Sequence, residues 1–185
     1  MEKIRKEFTR FPDFETAINY LYPETKGKFN DLLIIDIDGV LLKMGLKTFL
    51  KGIYLMLFNK KKFEEYLKEK KIPLGYLLKI KRLINSGVSV ILLTSRYLSK
   101  EKNYFPFISE EVVKRFEKSG IKILNLKKHG IELKIPEEIL EASAQKDRII
   151  YLGSSVFDKR VFNKLKNQIK DKELNYFDIG FGKII

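Results

Sequence analysis

Cysteine is absent from this chain of 185 residues. No disulfide can hold the fold, and no thiolate can act as nucleophile or metal ligand. Histidine occurs once, as His129, which excludes a multi-histidine metal site within one chain. Any bound metal must rest mostly on oxygen ligands, and these favour a hard ion such as Mg2+. Long apolar runs are also missing. No window approaches the roughly 18 residues of a membrane span. The opening MEKIRKEFTRF has no apolar signal-peptide region, so a cytoplasmic location is expected. Acidic residues are outnumbered, 24 against 37 basic ones, for a net charge of +13. Such a field attracts phosphorylated metabolites, nucleic acid or an anionic membrane surface without choosing among them. Lysine-rich, cysteine-free composition is also common in proteins of heat-loving organisms, so the excess alone is not a binding signal.

What is present reads as one globular domain with room for an insertion. Hydrophobic residues make up 44% and charged residues 33%. Five apolar runs have the length of strands: 32–37, 88–93, 121–126, 148–152 and 174–179. The first two are almost continuously apolar, as expected of strands buried on both faces of a parallel sheet. Helical periodicity lies between them. Residues 73–87 carry apolar side chains at 74, 77, 78, 80, 83 and 84, then stop at Asn85, Ser86 and Gly87. Further helices are expected at 13–21, 109–120, 136–146 and 158–171. Strand and helix alternate, so the fold class is α/β, with a central parallel five-stranded sheet flanked by helices. Residues 1–43 and 73–185 form this core. Residues 44–72 interrupt it as a small helical insertion. Its first helix is rich in apolar residues from Leu46 to Phe58. It is either packed on the domain or serves as a lid that faces the site or a lipid surface.

The chemistry concentrates in LLIIDIDGVLL, residues 32–42. A buried carboxylate must be paired, hydrogen-bonded or metal-bound. Here two of them, Asp36 and Asp38, fall at the end of the first strand, where open α/β sheets bind ligands. Gly39 follows and permits a tight turn. One carboxylate can attack a phosphorus centre, and the other can move a proton. An EF-hand loop does not fit, because the later acids are out of register. The second strand ends in Thr94-Ser95-Arg96. A hydroxyl there suits a phosphate, and Arg96 could clamp an anion.

These two segments together resemble the haloacid dehalogenase superfamily of phosphohydrolases. The carriers are Asp36-Ile37-Asp38-Gly39-Val40 after an apolar strand, and Thr94 at the end of a second one. The resemblance spans about residues 30–180 and implies a Rossmann-like sheet, Mg2+ and a phosphorylated substrate. It makes Asp36 the nucleophile, Asp38 the acid/base with its carbonyl on Mg2+, and Thr94 the residue that orients the phosphoryl group. Ser95 and Arg96 are then candidate substrate contacts. The family's lysine falls to Lys134, at the start of Lys-Ile-Pro-Glu-Glu, with Lys128 and Lys127 as competitors. His129 reads as a loop residue. The fourth motif departs from the common pattern. Asp158 matches its last acid as a metal ligand, but Ser154 stands where the first acid is usual. Some members carry Asn there and keep the later Asp. Asp158 also has a purely structural reading, because Ser155-x-x-Asp158 has the spacing of a capping box. The implied activity is a phosphatase working through an aspartyl-phosphate. The alternative is a non-catalytic module of the same fold that binds a phosphorylated ligand, nucleic acid or an anionic membrane.

Overall fold

A computed structural model of the chain describes residues 9–23, 27–42, 72–94, 118–126, 132–154, 156–169 and 172–180, with isolated positions between them. The candidate residues Ser95, Arg96 and Lys127 lie outside the described residues. So do most of the 44–72 insertion and most of the helix expected at 109–120.

The strands are β1 (Thr9–Phe11), β2 (Asp31–Asp36), β3 (Ser89–Thr94), β4 (Lys122–Asn125), β5 (Lys128–His129), β6 (Glu132–Leu133), β7 (Arg148–Gly153) and β8 (Glu173–Ile179). The helices are α1 (Phe14–Leu21), α2 (Leu74–Asn85), α3 (Glu137–Ala144) and α4 (Val156–Gln168). The main sheet is wholly parallel and six-stranded, in the order β1-β8-β7-β2-β3-β4. This corrects the expected five strands. The extra one is β1, in the polar-aromatic lead-in, which adds its backbone to β8 through Thr9, Arg10 and Phe11. A short antiparallel hairpin, β5 with β6, was also not anticipated.

Every residue of β2 is buried, because it is central and covered on both faces. Its side chains alternate between two cores. Leu33 and Ile35 join Val90, Leu92, Ile150 and Leu152 beneath α1 and α2. Leu32 and Ile34 join Ile91, Leu93, Ile149 and Tyr151 beneath α3 and α4. Each buried aliphatic side chain contributes about 1.5–3 kcal/mol of hydrophobic stabilisation. Connections stepping towards β4 cross on the α1/α2 face, and those stepping towards β1 cross on the α3/α4 face. A constant crossover hand requires that exchange when the direction reverses. The result is a doubly wound, Rossmann-like α/β fold.

The helix ends follow local chemistry. The Asp13 carboxylate accepts the Thr16 amide at 2.8 Å and caps α1. At the end of α2, Gly87 adopts φ +97°, and the Val88 amide returns to the Leu83 carbonyl at 3.1 Å. The Phe29 amide bonds the Ser86 carbonyl at 2.9 Å, tying this corner to the approach of β2. At the amino ends of the strands, Arg148 donates to the buried Asp31 carboxylate from Nη2 at 2.5 Å and from Nε at 3.2 Å. Among the described residues, no helix is long and apolar enough to cross a membrane.

Candidate functional site

The chain lays β2, β3 and β4 in one direction, then returns to the other side of β2 for β7 and β8. The switch point is therefore the crevice between β2 and β7 at their carboxyl ends. The loops there diverge, and ligands of open α/β sheets bind in such crevices.

Asp36 is the last residue of β2, Gly153 the last of β7. Asp36 follows Leu32 and Ile34 in alternation, so its carboxylate leaves the strand on the α4 side. It is buried, at 5% exposure. Asp158, in the first turn of α4, covers the same face and is buried to 2%. Two carboxylates from opposite sides of the switch point thus share one sheet face. Thr94 ends β3 and is also buried. It follows Val90 and Leu92 in alternation, so its side chain leaves on the α1/α2 side, the opposite sheet face from Asp36, and its carbonyl accepts the Leu126 amide at 2.9 Å.

After Asp36 the backbone makes a π-type turn over Ile37–Leu41, closed by the Leu42 amide on the Ile37 carbonyl at 3.0 Å. Such wide turns are uncommon and recur at functional sites. Asp38 and Gly39 lie in this turn, so both sequence acids arrive at the carboxyl edge. Gly39 adopts φ +145°. A Cβ there would overlap the Ser154 hydroxyl, come within 2.9 Å of the Ser154 Cβ and lie 3.9 Å from Asp36 Oδ2. Ser154 therefore packs onto Gly39 beside the Asp36 carboxylate, joining the β7 loop to the β2 turn.

Asp158 is held by two donors. The Ser154 amide reaches Oδ2 at 2.8 Å, and the Tyr151 hydroxyl reaches Oδ1 at 3.4 Å. The donor is the amide of Ser154, one residue before the Ser155 of the expected capping box; Ser155 lies outside the described residues. Tyr151 stacks on Tyr176, its register partner on β8, with ring centroids 5.8 Å apart. Burial drives both phenols well above the usual tyrosine range, and the charges of Asp158 and Asp36 add to the rise. Both carboxylates therefore act on the same two phenols. Sequence reasoning missed these tyrosines. In Arg148–Leu152 and Leu174–Ile179 they read as ordinary strand residues, and only their cross-strand register brings them together.

The lysine candidates separate less clearly. Lys134 is exposed in the segment between β6 and α3, beside the buried Ile135. Lys128 and His129 form β5, just past β4. A cleft of about 320 Å3 opens at the opposite end of the sheet, near Gly87, Ser89, Gly120 and Lys122. It contains no carboxylate and lies away from Asp36.

No protein-family model matches this chain, and a search of the curated proteins gives no match. Function is therefore read from the geometry and from the motif residues.

Proposed function

We propose that this protein is a Mg2+-dependent phosphatase of the haloacid dehalogenase type, which hydrolyses a phosphomonoester through Asp36. The observation that carries the reading is the pair of buried carboxylates, Asp36 and Asp158, on one sheet face at the topological switch point. In this reading a carboxylate oxygen of Asp36 attacks phosphorus, and the bond from phosphorus to the leaving oxygen breaks. Asp38 gives that oxygen a proton. It then takes a proton from water, whose oxygen attacks the aspartyl-phosphate and releases inorganic phosphate and Asp36. Thr94 orients the phosphoryl group from the neighbouring strand end, on the other sheet face from Asp36, and Lys134 or Lys128 offsets its charge.

The donor set suits a hard divalent ion. Asp36 and Asp158 supply anionic oxygens, and the Asp38 carbonyl a neutral one. Both carboxylates are buried at the ends of neighbouring elements. A bound cation would offset part of the cost of keeping two buried carboxylates charged. Held by these residues, Mg2+ would neutralise the phosphoryl oxygens. Ser154 is a weaker ligand than an acid, so modest Mg2+ affinity is expected.

The test is direct. Purified protein should release phosphate from an aryl phosphate with Mg2+, and Asp36→Asn should abolish the release without loss of fold. Activity that survives the substitution removes Asp36 as nucleophile. Ser154 and the +13 charge motivate a second reading, a non-catalytic phosphate- or polyanion-binding module. No hydrolysis across a broad phosphate panel, together with salt-sensitive binding to nucleic acid or anionic vesicles, would favour it.

A further inference from the structure

We infer that Tyr151 is a positioning residue for the candidate metal ligand Asp158; the inference rests on the phosphatase reading above. Tyr151 is fully buried in β7, and its ring belongs to the core beneath α4. A phenol in that position requires a partner for its hydroxyl. A leucine or phenylalanine would fill the same space without that demand. The hydroxyl donates to Asp158 Oδ1, while the Ser154 amide donates to Oδ2. The hydroxyl and the amide thus hold the two oxygens of one carboxylate. The two donors come from β7 and from the loop that leaves it, so the strand fixes the carboxylate's plane. Tyr176 stacks against Tyr151 from β8, and a Cβ on Gly153 would lie 2.8 Å from the Tyr176 hydroxyl. Tyr151, Tyr176 and Phe162 form one aromatic cluster, with ring centroids 5.2 to 6.3 Å apart, and this packing holds the Tyr151 ring in place.

Partners of this kind orient metal ligands, and their loss typically weakens metal binding by roughly 10- to 100-fold. The Tyr151 bond is long, so the lower end applies, roughly tenfold. A capping role alone would leave metal affinity unchanged, because the Ser154 amide already serves the helix start.

The experiment is Mn2+ titration by calorimetry on wild type, Tyr151→Phe, Asp158→Asn and the double variant, with thermal unfolding in EDTA. Tyr151→Phe should weaken Mn2+ binding roughly tenfold while the EDTA melting temperature stays close to wild type. In the Asp158→Asn background it should have no further effect on affinity. Wild-type affinity in Tyr151→Phe, or an equal loss in both backgrounds, overturns the positioning role and leaves the phosphatase reading intact. If the wild-type protein binds no Mn2+ and hydrolyses no aryl phosphate, both the phosphatase reading and this role fail. Should Tyr151→Phe fail to fold, Tyr151→Met removes the hydroxyl with some loss of volume and carries the same expectation for Mn2+ affinity.

Discussion

Gly39→Ala addresses the contact that joins the two halves of the site. Two costs add. The φ of +145° disfavours any side chain, at about 1–2 kcal/mol. The new methyl must also displace Ser154. Rotation about χ1 can move the Ser154 hydroxyl away, but not its Cβ, which would stand 2.9 Å from the added carbon. The β7 loop or the β2 turn must therefore shift, and overpacking of this kind costs about 1–3 kcal/mol. A total near 3 kcal/mol is expected, measured by urea unfolding followed by circular dichroism.

Ser154→Gly separates the two costs, because it removes both atoms that the methyl would strike. In that background Gly39→Ala should cost only the backbone share, about 1–2 kcal/mol. The difference between backgrounds measures the contact. Equal costs in both, or a cost under about 0.5 kcal/mol in the wild-type background, refutes the interlock. Asp36 Oδ2 lies 3.9 Å from the added carbon, so hydrolysis should fall more steeply than stability.

Alkaline unfolding should be steep. Burial holds Tyr22, Tyr151 and Tyr176 protonated in the fold, while the unfolded chain ionises them near the ordinary value of 10.0. Above that pH the unfolded state binds fewer protons, so stability is full below it and falls by up to ~1.4 kcal/mol per pH unit for each tyrosine; ultraviolet titration should show these phenols ionising only as the protein unfolds. Arg148→Met strands the buried Asp31 carboxylate and should cost about 2 kcal/mol in chemical denaturation, less than for a fully buried pair because the Arg148 side chain is 30% exposed; Asp31→Asn added to it should recover part of the loss. Ser154→Asp sets a third acid beside Asp36 and Asp158, so the melting temperature should fall in EDTA and rise more than wild type on adding Mg2+. A Mg2+ response no larger than wild type's would remove Ser154 from the metal's surroundings.

The parts of the fold visible in the sequence are those where burial is complete. β2 and β3 are apolar on both faces, so their runs stand out without periodicity, and the two acids interrupting one of them point to the edge of the sheet. β1 is invisible for the opposite reason. It contributes three residues, its pairing uses backbone alone, and of its described side chains only Phe11 enters the core. The β5–β6 hairpin is too short to carry a pattern. Thr94 ends its strand as expected. The contact of Gly39 with Ser154 joins the β2 turn to the β7 loop, so it depends on which strands become neighbours, and local periodicity does not encode that order. Tyr151 and Asp158 are only seven residues apart, but a tyrosine inside an apolar strand gives no sign of where its hydroxyl points.

Surface and site have opposite electrostatic needs. On the phosphatase reading, the +13 charge would draw a phosphate ester from solution. At the switch point the same anion would meet the buried Asp36 and Asp158, where charge is screened least. The long-range field cannot offset that repulsion, because salt and water weaken it within about 8–10 Å. A local cation has to do so, whether a bound metal or one of the lysines near β5 and α3. The numerous surface lysines therefore bear on how fast an anion arrives. The few groups at the ends of β2 and β7 bear on whether it reacts. On the phosphatase reading Ser154, which withholds one negative charge from the site, would trade metal affinity for weaker repulsion of the incoming phosphate.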